Sequence, residues 1–92
     1  MRYFFSEDRF GNTVTFNDVQ SVDNAERIPF YIEQMRIGDA KEPFNYAEGY
    51  LPEARFTKTF GFSPSELERF QDYLLRNSDL FFEIAREKAE HL

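Results

Sequence analysis

The chain has 92 residues and a formal charge of -6, from 11 Lys+Arg against 17 Asp+Glu, with 12 Phe, 5 Tyr, no Trp and no Cys. That length makes one domain, 1–92. The lack of cysteine excludes disulfides, iron–sulfur clusters, thiolate zinc sites and cysteine nucleophiles. No window approaches the ~20 apolar residues of a membrane-spanning helix.

The opening run Met1-Arg2-Tyr3-Phe4-Phe5-Ser6-Glu7-Asp8 turns acidic too early for a secretory leader, so a cytoplasmic protein is expected. Arg2–Ser6 is aromatic-rich and Thr13–Phe16 is β-branched; both read as strands. Gly11 between them supplies the positive φ of a hairpin turn. Asn17-x-x-Gln20 and Asp23-x-x-Glu26 have capping-box spacing. Ile28, Tyr31, Ile32 and Met35 follow at i, i+3, i+4 and i+7, which predicts a short helix near 29–37. Pro29 would open it and Gly38 close it. Ile28, Phe30 and Ile32 also alternate, so strand is the competing reading.

Pro43, Gly49 and Pro52 interrupt any regular pattern over 39–54, which reads as a long loop. From Arg55 to Phe62 the chain alternates, with Phe56, Lys58, Phe60 and Phe62 on one face of a predicted strand. Ser63-Pro64-Ser65-Glu66 is the strongest signal: a Ser N-cap, Pro at the first helical position and Glu at the third. Phe62 and Leu67 are placed to form a hydrophobic staple across it. Apolar residues then follow a 3–4 spacing over 64–91. One unbroken helix there would be about 42 Å long, so Arg76-Asn77-Ser78-Asp79 is a candidate break near 77–78. The expected fold is α+β: a small antiparallel sheet, made of the N-terminal hairpin and the 55–62 strand, packed on the C-terminal helix.

A composition of 41% hydrophobic and 18% aromatic residues argues against disorder. It also loads a small core with more rings than it easily hides, so some should form a surface patch. The acid is uneven. Residues 1–54 carry net -5 and residues 55–92 net -1, and Asp39, Glu42, Glu48 and Glu53 face Lys41 alone. Net negative charge disfavours direct nucleic-acid and anionic-membrane binding and favours a basic protein surface.

Catalytic and metal signals are weak. His91 is the sole histidine, no calcium-loop or Glu-x-x-His pattern occurs, and the four glycines are isolated. The helix carboxylates Glu66, Glu68, Asp72, Asp79, Glu83, Glu87 and Glu90 read as a solvated face, with Asp72–Arg76 and Glu83–Arg86 as surface pairs. No cofactor is expected. The residues that combine rings with carboxylates are Asp39, Glu42, Phe44, Tyr46, Glu48, Tyr50 and Glu53, a candidate partner-binding set.

The leading expectation is a small non-catalytic binding protein that blocks a basic surface of a partner. Bacterial or phage-encoded inhibitors, immunity proteins, antitoxins and nucleic-acid mimics are similar in kind. The alternatives are a homodimeric or oligomeric assembly accessory, and a small hydrolase or lyase using carboxylates.

Overall fold

A computed structural model of the chain describes residues 1–35 and 44–90. Six strands precede one helix: β1 (Tyr3–Glu7), β2 (Thr13–Phe16), β3 (Gln20–Val22), β4 (Ala25–Met35), β5 (Phe44–Leu51), β6 (Arg55–Phe60) and α1 (Pro64–Glu90). Five strands form an antiparallel sheet in the order β1-β2-β4-β5-β6, and β3 pairs with β4 beyond the end of β2. The fold is therefore α+β, an antiparallel sheet packed on a C-terminal helix.

Local chemistry accounts for the turns. Gly11 has φ 79°, and the Asp8 carboxylate accepts from the Phe10 and Asn12 amides at 2.9 and 3.0 Å, closing the β1–β2 hairpin. Asp23 and Asn24 have φ 52° and 62°, the paired left-handed residues that a tight β3–β4 turn requires. These residues turn a hairpin and do not cap helices. The Leu51–Pro52 peptide is cis, and Ala54 has φ 55° in the β5–β6 turn.

The helix expected near 29–37 is a correction: Ala25–Met35 is one long strand at the centre of the sheet. Its inward residues Ile28, Phe30 and Ile32 are fully buried. Tyr31 and Met35, apolar residues on the opposite face, made the pattern look helical. Proline in a central strand normally removes a ladder bond. Here the Pro29 carbonyl accepts from the Asn17 amide at 3.0 Å, so its nitrogen points to the same edge. That edge lies between the last pair of β2 (Phe16↔Phe30) and the first of β3 (Gln20↔Arg27), and no strand donor is needed there.

The long loop expected over 39–54 is a second correction, since Phe44–Leu51 forms β5 and pairs with β4 from Ile28 to Met35. Gly49, which looked like an interruption, is what packing demands. A Cβ there would lie 2.0 Å from the Arg55 carbonyl oxygen and 2.8 Å from the Phe30 ring, its cross-strand neighbour. A third correction concerns β6. The register shifts opposite Glu48 and Gly49, leaving Phe56 inward against Phe30 and carrying Lys58 and Phe60 to the outer face.

The N-terminal cap of α1 forms as expected. Ser63 Oγ accepts from the Glu66 amide at 3.2 Å, and Glu66 Oε1 accepts from the Ser63 amide at 2.9 Å. Phe62 meets Phe70 edge-on at 4.9 Å. The helix runs unbroken for 27 residues, about 40 Å, which matches the 42 Å long axis of the molecule. It does not stop at 77–78 because Leu74, Ser78, Phe81 and Ala85 continue one buried stripe through that point. Phe81 stacks on Phe5 at 3.9 Å and meets Phe16 edge-on at 5.1 Å. Each such fully buried side chain contributes roughly 1.5–3 kcal/mol relative to exposure. No described helix is long and apolar enough to cross a membrane.

Candidate functional site

Period-2 geometry sorts the strand residues onto two faces. The inner face meets α1. The outer face is uncovered by any described element and carries Phe4, Tyr31, Met35, Phe44, Tyr46, Tyr50 and Phe60. Phe4, Met35 and Phe44 are 64%, 70% and 41% exposed. Tyr46 stacks on Phe60 at 5.7 Å, with Lys58 5.6 Å from the Tyr46 ring. The Arg2 guanidinium lies 3.7 Å over Tyr31 and reaches Glu33 at 3.6 Å.

Among the described residues, the charges of this face balance: Glu7, Glu33 and Glu48 against Arg2, Arg55 and Lys58, while Arg27, at the same parity on β4, is paired with Glu53. Four predicted site residues therefore come together here, since Phe44, Tyr46, Glu48 and Tyr50 lie on one side of β5. Glu53 does not join them as an available anion. It accepts from Arg27 Nε at 2.7 Å, and the Arg27 hydrogen bond holds its carboxyl below the usual range. Asp39, Glu42 and His91 lie outside the described residues.

The surplus anion lies on the other side of the molecule. A groove of about 700 Å³ runs between the C-terminal half of α1 and the β3–β4 and β5–β6 turns. Five carboxylates (Glu26, Asp79, Glu83, Glu87 and Glu90) line it against one guanidinium, Arg86. Arg86 is already engaged: it reaches Glu26 at 2.9 Å and lies 5.3 Å from the Phe82 ring, which contributes to the groove with Pro52. The expected Glu83–Arg86 pair is thus replaced by a cross-element pair, whereas Asp72–Arg76 forms at 3.0 Å.

Asp79, Glu83 and Glu87 follow one another at i, i+4 and i+8, about 6 Å apart along the axis. Like charges at that spacing destabilise a helix by about 0.2–0.5 kcal/mol per pair. In sequence this stripe looks like an ordinary solvated face, because nothing local says that Glu26 and Pro52 wall it in.

A smaller pocket of about 250 Å³ lies between the β1–β2 hairpin and α1, with Val14, Phe70, Tyr73, Asp8 and Arg69 in its walls. Ser6 and Tyr73 hydroxyls bond across it at 2.9 Å. Burial pushes the Asp8 carboxyl up. Hydrogen bonds from the Asn12 side chain and the Asn12 and Phe10 amides, with the Arg69 charge, outweigh this and hold it low. Asp18 is also held low, first by the Tyr3 hydroxyl at 2.7 Å and then by the N-terminal ammonium. The same bond raises the Tyr3 phenol. All three displaced carboxyls are thus biased towards the ionised form. No described group of three or more His, Cys, Asp or Glu residues is arranged to hold a metal ion. Compared with protein-family models, with curated proteins and with solved structures, the chain matches none.

Proposed function

We propose that the chain is a non-catalytic binding protein that docks its acidic groove on a basic surface of a partner protein and blocks that surface, as inhibitors, immunity proteins and antitoxins do. The observation that carries this reading is the groove itself. Four of its five carboxylates are presented on one helix, beside an aromatic ring, in a concavity where the one guanidinium is already paired with the fifth, Glu26 of β4. A regularly spaced row of anions is also what a nucleic-acid backbone offers to a basic channel, so the mechanism is steric occlusion with carboxylates in place of phosphates.

One catalytic role, that of a carboxylic general acid, is disfavoured at these carboxyls. A general acid needs a carboxyl whose proton is retained near neutral pH, and the displaced carboxyls Asp8, Asp18 and Glu53 move the opposite way.

The test is affinity capture from lysate of the source cell at low and moderate salt, comparing the wild type with a Glu83→Lys, Glu87→Lys double variant. The reading expects a basic protein held by the wild type, weakened by salt and lost in the variant. Capture that ignores the charge reversal, or no basic protein in either buffer, rejects it.

A further inference from the structure

We infer that the outer face of the sheet is the interface of a homodimer. Two subunits would pack sheet to sheet, with both helices and both acidic grooves turned outward.

Three observations carry this. First, the face gathers exposed apolar side chains on one surface, whereas the other exposed rings, Phe10 and Tyr73, lie apart in the β1–β2 turn and on α1. Phe4 and Met35 project with 64% and 70% of their surface exposed, flanked by the half-buried rings of Tyr31, Tyr46 and Tyr50. The largest apolar patch of a single subunit, typically about 300–600 Å², is often a functional contact surface.

Second, the charges select the occupant. Two copies of a -6 chain repel each other wherever their surplus anions meet. On this face Glu7, Glu33 and Glu48 balance Arg2, Arg55 and Lys58. A second copy brings the same balanced set, so opposite charges can oppose each other across a two-fold axis. A strongly basic partner gains little here, because the acids are matched by fixed cations. The groove around Glu83 suits such a partner and would repel a second copy of itself.

Third, the size fits a weak, closed pair. Five strands at about 4.8 Å spacing span roughly 24 Å, and strands of this length run about 20 Å. Each copy then offers roughly 500 Å² of flat area and the pair about 1,000 Å², at the low end of specific interfaces. The central strand is β4, which places Tyr31 near the dyad. The association should therefore be reversible in the micromolar range.

Sedimentation of the full chain over a range of micromolar concentrations tests this. The wild type should move from the 11.0 kDa chain mass towards twice that value as concentration rises. A Phe4→Glu, Met35→Glu double variant should stay at the chain mass throughout. Both side chains are exposed in the single subunit, so its circular dichroism should match the wild type. A Leu75→Glu control on α1, where Leu75 is 51% exposed, should dimerise normally. A wild type that stays monomeric at the highest concentrations overturns the inference. So does a dimer that survives Phe4→Glu, Met35→Glu, or one that Leu75→Glu dissolves. The groove is intact in all these proteins, so none of these outcomes depends on the basic partner.

Discussion

Neighbouring residues on β4 do different work on its two faces. Phe30 and Ile32 point at α1 and have no exposed surface, whereas Tyr31 lies on the uncovered face under Arg2, and Met35 beyond it is 70% exposed. The covered face is close-packed around Phe16, Phe81 and Leu74 and resists change. The open face is held mainly by ring stacking and surface charge pairs, each worth roughly 0.2–1.5 kcal/mol. Stability therefore belongs to one face, and the other is available for recognition.

Substitutions can break or sharpen that contrast. The largest effect is expected from Phe81→Ala, which removes a fully buried ring touching Phe5 and Phe16 and should cost about 3–5 kcal/mol. Phe4→Ala on the open face should stay within about 0.5 kcal/mol of wild type, measured by urea unfolding at sub-micromolar concentration. Comparable losses would abolish the distinction between the faces. Gly49→Ala comes next. Its Cβ collides with the Arg55 carbonyl and the Phe30 ring, and a loss of about 1–3 kcal/mol is expected by the same measurement.

Ser63→Ala removes one half of the reciprocal cap on α1 and should cost about 1 kcal/mol. Acid should act through Asp8, Asp18 and Glu53. Their folded-state pKa values lie below the usual carboxylate range, so their stabilisation is complete above the unfolded values near ~4. It disappears as pH falls through the lower folded-state values. A melting temperature that declines in this acid window, with a shallower decline in Asp18→Asn, is the expected result. The smallest effect has the opposite sign. Glu83→Gln removes two like-charge contacts, those with Asp79 and Glu87. It should stabilise the helix by between about 0.4 and 1 kcal/mol while weakening capture of a basic partner.

Much of the fold was legible wherever the chemistry is local. The Ser63–Glu66 cap, the Gly11 turn and the apolar stripe of α1 are written within a few residues of where they act. β4 was misread because both of its faces carry apolar residues, which erases strict alternation. Pro29 hid it further, tolerated only because β2 ends opposite it. β5 was missed because Gly49 serves a ring on another strand and Pro52 lies just beyond its end.

The candidate residues of β5 were found by composition, and the strand then placed Phe44, Tyr46, Glu48 and Tyr50 on one face. The acidic groove was not legible, since its walls come from Glu26, Pro52 and the last turns of α1. Only the assembled fold separates the surplus acids from the surface rings.

The most direct measurement is a backbone-amide NMR titration of the full chain with a lysine- and arginine-rich helical peptide at low salt. Binding through the groove predicts shifts concentrated at Ser78, Asp79, Glu83 and Glu87, reversed by added salt and absent in Glu83→Lys, Glu87→Lys. Shifts centred on Tyr31, Tyr46 and Tyr50, or no saturable shifts at all, would contradict it.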